Sequence, residues 1–325
     1  MLPRILHVAI MSFAFCVAVE PLVGEPRDET LDEAYLESLK TEVHPKNPPK
    51  VSQGVLFRSK VTIGKAGKRN LTADVFTPKK IPSKPRPAIV FLHGGSWKFG
   101  SPSQFHYHSD YLAKKYAFFA VNVDYRLSGE ARFPAALQDA KCAIRWVRSQ
   151  ARKLNIDPQR VAICGGSAGG HLSSMVATTA GAKEYEGSGG HREFASHANV
   201  VVIFNGEFDM WDLVEKKSLI DAMQQFIGGT PEEMPEKYDE LSSIKRIDKK
   251  TPPTLLLHGT EDKCVSHEQA GAFHDRLKEV GVHSELEIYE GKPHAWFNKE
   301  PDRTKTLKRM EKFLMSRFGL EKGKE

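Results

Sequence analysis

Cysteine is scarce in this 325-residue chain, and the four that occur form no pattern. Cys16 sits in an apolar N-terminal run. That leaves Cys142, Cys164 and Cys264, an odd number with no C-x-x-C pair. The spacing excludes a disulfide-stapled scaffold and a cysteine zinc site; buried or incidental thiols are expected, with a single bridge still open in an oxidising compartment. Long apolar runs are also missing. Apart from Ile5–Val19, no stretch approaches the roughly 20 residues a membrane-crossing helix needs, so no membrane span is expected. Nor is there a basic patch interleaved with aromatics. The formal charge of +6 is spread along the chain, and its densest group, Lys305, Lys308, Arg309, Lys312 and Arg317, has the spacing of a solvated face on a terminal amphipathic helix. Nucleic acid is therefore not an expected partner. His191 and His197 share a Gly-rich loop but have no acidic or cysteine partner at ligand spacing, so no metal and no cofactor are expected.

What is present divides the chain into three. Arg4, the run Ile5–Val19, Glu20, Pro21 and Gly24 have the layout of an export signal, with residues 1–24 expected to be removed and the protein exported to a periplasm or secreted. Residues 25–50 pass from acidic to Pro- and Lys-rich, as a short helix and linker would. The chain is 40% hydrophobic, and residues 51–325 are long enough for one α/β domain with a sizeable core.

Within that domain the patterning changes once. Gly54–Ile63 and Asn70–Thr77 alternate as strands around a Gly-Lys-Ala-Gly turn region, an antiparallel hairpin at a sheet edge. From Pro87 onward, short apolar runs (Ala88–Leu92, Ala117–Val123, Arg160–Cys164, Val200–Phe204, Thr254–Leu257, Glu285–Tyr289) alternate with helical periodicity. This is the signature of parallel strands with crossover helices in a doubly wound sheet. Leu137, Ala140, Ile144, Val147, Ala151 and Leu154 give one helix face, which Asp157-Pro158 is expected to end. Phe208, Met210, Trp211, Met223, Phe226 and Tyr238 are read as the core of short helices, with a small lid as the alternative.

The residues that carry chemistry stand at strand ends. Gly165-Gly-Ser-Ala-Gly169 follows a strand directly, and a G-x-S-x-G corner needs small flanks because the nucleophile, Ser167, occupies a strained turn. A phosphate loop is its rival, but Gly-Lys-Ser/Thr is missing. Upstream, His93-Gly-Gly-Ser-Trp97 ends another strand. Its N–H groups at Gly94, Gly95 and Ser96, with that of Ala168, are candidates to bind a developing oxyanion. A serine needs a base and an orienting carboxylate, expected in the order Ser, acid, His. Asp262 and its neighbour Glu261 follow one strand, and His294 follows the next; the Gly259-Thr260 turn favours Asp262 as the acid. His93, His171 and His258 are expected to be structural. Trp97 and Trp296 flank these residues and are candidates for a substrate pocket.

Together, His93–Trp97, Asp124-Tyr-Arg-Leu127, Phe133-Pro-Ala-Ala136 with Asp139, Asp157-Pro-Gln-Arg160, Gly165–His171, His258-Gly-Thr-Glu-Asp262 and His294 resemble the lipase and esterase branch of the α/β-hydrolases. That branch includes the hormone-sensitive-lipase-like esterases and, more similar still, short exported members resembling acetyl-xylan and feruloyl esterases. The resemblance implies the α/β-hydrolase fold, a Ser167–His294–Asp262 triad and hydrolysis of carboxylic esters through an acyl-enzyme, on a small-molecule or polysaccharide ester. Two positions depart from the hormone-sensitive-lipase pattern: Gly166 stands where Asp is usual, and Ser96 replaces the third loop glycine. An arylformamidase, an exopeptidase-type hydrolase and a non-catalytic binding module of the same fold are the alternatives.

Overall fold

The computed structural model describes residues 49–320; the expected export signal and nearly all of the helix-and-linker segment fall outside the described residues. Alternating burial along β1 (Val55–Ala66) turns one of its faces to the core, whereas β2 (Arg69–Pro78) is buried on both faces from Ala73 to Thr77, and the two pair antiparallel from Val55↔Pro78 to Ala66↔Arg69. The turn is thus the dipeptide Gly67-Lys68, not the longer Gly64–Gly67 region expected from sequence. Gly64 is a glycine for another reason. A Cβ there would lie 2.3 Å from the Gly189 carbonyl oxygen, and the Lys65 N–H donates to that same oxygen.

The hairpin forms one edge of an eight-stranded sheet of order β1-β2-β4-β3-β5-β6-β7-β8. The remaining strands are β3 (Arg86–Leu92), β4 (Phe119–Asp124), β5 (Ile156–Gly166), β6 (Val200–Phe204), β7 (Thr254–Gly259) and β8 (Ser284–Tyr289). β2 pairs antiparallel with β4, and every pairing beyond is parallel. β3 and β6 are buried along their whole length, as continuous apolar runs in a parallel sheet must be when helices cover both faces. On one face pack α2 (Ala135–Ser149), α4 (Ala168–Thr178) and α8 (His267–Glu279), through Leu137, Ile144, Val147, Leu172, Met175 and Phe273. On the other lie α1 (His106–Tyr116) and α9 (Asp302–Phe318), through Leu112, Met310, Phe313 and Leu314. This is the mostly parallel, doubly wound sheet with an antiparallel N-terminal edge hairpin expected from the sequence.

Local differences from the sequence reading have local causes. The expected single helix over residues 137–154 divides at Gln150 into α2 and α3 (Ala151–Leu154), and it ends at Asn155 in the left-handed conformation, before Asp157-Pro158. Pro158 then lies inside β5. The segment after β6 forms α5 (Met210–Glu215), α6 (Ile220–Ile227) and α7 (Pro235–Leu241). Phe208, Met210, Met223, Phe226 and Tyr238 are buried there, which is the core-packing alternative. The basic residues of α9 are partly ion-paired, Arg309 with Glu285 and Glu287, and Lys308 with Glu311. Cys142 and Cys164 are buried free thiols, and Cys264 is half-buried and free. Among the described residues no helix is long and apolar enough to cross a membrane.

Candidate active site

The carboxyl ends of β3, β5, β6, β7 and β8 carry the residues of the site, the edge at which open α/β sheets bind ligands. β5 runs straight into Ser167, whose φ of 52° and ψ of −129° place a non-glycine residue in a strained corner ahead of α4. The corner is held by glycines on both sides. At Gly166 a Cβ would sit 2.6 Å from the ring of Phe297, which itself stacks on Phe204 at 4.4 Å. Gly166 therefore stands where the resembling esterases carry Asp because an aromatic ring occupies the space a side chain would need.

Around Ser167 the expected acid and base come together. His294 Nδ1 donates to Asp262 Oδ2 at 2.7 Å, and Ser167 Oγ donates to His294 Nε2 at 3.0 Å. The two bonds fix the neutral tautomer, because the ring has one N–H and Asp262 takes it. Asp262 is ringed by donors: the N–H groups of Cys264 and Val265 bond Oδ1, and His258 Nε2 lies 3.2 Å from Oδ2. Burial alone would raise its pKa, but the bonds from His258 and His294 and the His294 charge outweigh burial and hold it well below the usual carboxylate range. Glu261 is exposed, its N–H on the Lys292 carbonyl, and takes no part. Asp262, His294 and Cys264 bring three potential ligand atoms within 4.8 Å of one another, but Asp262 and His294 are bonded to each other and to Ser167; the grouping is a by-product of that chain.

The loop after β3 lies beside the corner. Gly95 (φ 119°), Ser96 (φ 50°) and Trp97 (φ 57°) all have positive φ, which gives the loop its reversal. Glycine takes such a conformation without penalty, whereas Ser96 bears a cost of about 1–2 kcal/mol. The Gly94 N–H is already bonded, donating to Gln104 Oε1 at 2.6 Å. This corrects the expected set of free donors: Gly94 is committed to Gln104, and Gly95, Ser96 and Ala168 remain as candidates.

The two tryptophans proposed from sequence as pocket walls are interior residues, and this too is a correction. Trp97 is fully buried, donates Nε1–H to His171 Nδ1 at 3.2 Å and stacks on Phe226 at 4.9 Å. Trp296 packs against Tyr289 and Phe297. Each braces a loop from below. His171 in turn donates from Nε2 to the Leu241 carbonyl, and burial lowers its pKa to about 4, so it is neutral. His93 stacks on Tyr125 at 4.2 Å, and burial lowers its pKa as well; Tyr125 Oη donates to the His93 carbonyl. Arg126 grips Asp139 with Nε and Nη2, tying the loop after β4 to α2. The histidines expected to be structural are so, and the Asp-Tyr-Arg-Leu and Phe-Pro-Ala-Ala motifs brace the site without entering it.

Two further groups reach the centre that no motif indicated. Asn205 Nδ2 lies 3.2 and 3.3 Å from the two ring nitrogens of His294, over the imidazole. Glu207 is fully buried with Oε1 3.3 Å from Ser167 Oγ, and its Oε2 has no partner. Burial raises its pKa to about 7, against the lowering effects of His294, its own N–H and Ser167. A signal existed in the sequence: both residues lie within three positions of the end of the apolar run Val200–Phe204, at the same sheet edge as the nucleophile.

Known proteins bear on this geometry in three ways. Esterase LipC of Mycobacterium tuberculosis is 32% identical over 210 residues, covering 64% of this chain and 52% of the relative. Carboxylesterase NlhH of the same species is 34% identical over 139 residues, 42% of each chain. This chain spans about half the length of the first of these curated relatives. Among solved structures, a thermophilic esterase of Thermogutta terrifontis, bound to propionate, superposes with a TM-score of 0.69 at 29% identity, covering 84% of this chain and 97% of the other. Esterase 2 of that species, phosphorylated by paraoxon, gives the same TM-score and identity over 86% of this chain and all of the other. A truncated carbohydrate esterase from gut microbiota gives a TM-score of 0.70 at 27% identity, over 83% and 99% of the two chains. The BD-FAE family model matches residues 73–277. By that match, and by a fold shared with α/β-hydrolase esterases, the chain belongs to the BD-FAE family.

Proposed function

We propose that this protein is a carboxylic ester hydrolase in which Ser167, His294 and Asp262 carry out acyl transfer. The observation that carries the reading is the unbroken chain from Asp262 Oδ2 through His294 to Ser167 Oγ, 2.7 and 3.0 Å, on a strained corner. Ser167 Oγ bonds to the ester carbonyl carbon while its proton passes to His294 Nε2. The resulting oxyanion is received by N–H groups of the Gly95–Ser96 loop and Ala168, at the N-terminus of α4. Collapse breaks the bond to the alcohol oxygen, which takes the proton from His294. Water, deprotonated by the same imidazole, then releases the acid and restores the serine. Asp262 keeps the ring in its productive tautomer and stabilises the imidazolium.

The substrate proposed is a small acyl or aryl ester, with an acetyl or feruloyl group on a plant polysaccharide as the finer reading. A propionate-bound relative and a carbohydrate esterase among the structural neighbours support it. Export to a periplasm or secretion rests on the sequence of residues 1–24 and suits a polymer substrate. A panel of acetylated xylan, methyl ferulate and p-nitrophenyl esters of rising chain length tests the reading. Turnover of at least one ester by the unmodified protein, abolished in Ser167→Ala, is expected. Full activity in Ser167→Ala would overturn the nucleophile, and amide turnover exceeding ester turnover would move the protein to another class.

A further inference from the structure

The Ser167 hydroxyl has one proton and two neighbours that would take it. His294 Nδ1 spends the ring's N–H on Asp262, so Nε2 is an acceptor and the Ser167 proton points to it at 3.0 Å. Glu207 Oε1 stands 3.3 Å from the same oxygen. With the hydroxyl proton committed to His294, the contact with Glu207 is a hydrogen bond only if Glu207 supplies the proton. A fully buried carboxyl with one oxygen unpartnered suits that state, because burial penalises the anion more than the neutral acid.

We infer that Glu207 is a second acid of the site, working in its neutral form: it donates to Ser167 Oγ, holds that oxygen with its own proton aimed at His294, and disables the nucleophile when it ionises. The inference rests on Ser167 being the nucleophile. Once ionised, Glu207 becomes the stronger acceptor, since hydrogen bonds to charged oxygens are roughly twice as strong as neutral ones. It then draws the Ser167 proton away from His294 and places a negative charge beside the developing oxyanion.

The surrounding charges act in opposite directions on Glu207, and burial outweighs them. Asp262 is an anion and opposes ionisation of Glu207, while His294 favours it. Tyr125, from the end of β4, and Cys264, from the loop after β7, are both pushed upward, burial first and the Glu207 charge among the further causes. His171 on α4 and His93 in the loop after β3 are buried and neutral. With burial raising Glu207 to about 7, the switch falls near neutrality.

The test is the pH profile of kcat/KM on a soluble ester, for the unmodified protein and for Glu207→Gln, which keeps the shape and a donor but cannot ionise. The unmodified protein is expected to peak near neutrality and to lose activity about tenfold per pH unit on the alkaline side, as one deprotonation requires. Glu207→Gln is expected to lose that limb and hold a plateau to pH 9, while keeping the acid limb of His294. The shape of the profile, not its height, is the readout. A plateau or rise from pH 7 to 9 in the unmodified protein, or an unchanged alkaline limb in Glu207→Gln, overturns the assignment. A second arm needs no turnover. The infrared difference between the two proteins at pH 6 should contain a neutral carboxylic-acid band that disappears on raising the pH to 9; a carboxylate band at pH 6 overturns the inference. An active Ser167→Ala protein would defeat the serine reading instead, and the infrared arm tells the two failures apart.

Discussion

Asp262 and Glu207 follow neighbouring strands, β7 and β6, and both act on the pair Ser167–His294, yet their surroundings drive them to opposite protonation states. Asp262 receives two backbone N–H groups and two imidazoles, so the donors outweigh burial and it stays an anion. Glu207 is buried more deeply and lacks those donors, and one of its oxygens is left bare. Desolvation decides where hydrogen bonds do not. The difference teaches that two carboxyls within one site acquire separate roles from their neighbours, not from their chemistry. The charged one orients the base, and the neutral one holds the nucleophile.

Four substitutions break or sharpen that contrast. The largest effect is expected for Ser167→Ala, which removes the oxygen both carboxyls serve; kcat should fall by about 10⁶, measured against a thermal melt that stays unaltered. Asp262→Asn keeps the shape but lets the imidazole adopt the wrong tautomer, and a loss in kcat of about 10⁴ is expected, with the alkaline limb set by Glu207 still visible in what remains. Glu207→Gln tests the other side through stability. A carboxyl whose folded pKa of about 7 lies above its unfolded value contributes stability that is full below the unfolded value and is lost as pH rises through the folded one. Replacing it should therefore stabilise the protein by on the order of 2–4 kcal/mol at pH 8, an advantage that fades toward pH 4. Denaturant unfolding at the two pH values measures it; equal gains at both would mean a packing effect. Smallest is Gly166→Ala, whose methyl group meets the Phe297 ring. It should cost about 1–3 kcal/mol by overpacking and lower the melting temperature, with both carboxyl environments left in place.

Legibility from sequence followed the range of the interactions. The central parallel strands were visible as apolar runs because β3, β6 and β7 are buried along their whole length, and β6 was found with its observed ends. Boundaries set by distant contacts were not visible. β1 runs through Gly64 because Gly189, over a hundred residues away, approaches it, and the helix after Pro134 divides where no Gly or Pro marks a break. In the site, Ser167 showed itself through the glycines of its corner, and His294 and Asp262 through their order and position after strands. Trp97 and Trp296 were misread because proximity to a motif says nothing of which way an indole points. Gly94 was misread because the acceptor of its N–H, Gln104, belongs to no motif.

The sequence by itself determined the sheet-and-helix alternation, the strained serine corner and the chain order of nucleophile, acid and base, all of which are written in short-range spacing and periodicity. The tertiary structure alone decided which donors surround Asp262, which amides remain free beside Ser167, and that a lone glutamate after β6 ends buried against the nucleophile. Charge state is the reason. It depends on the donors and the water within a few ångströms of a group, and β5, β6, β7 and β8 bring those together from more than a hundred residues apart.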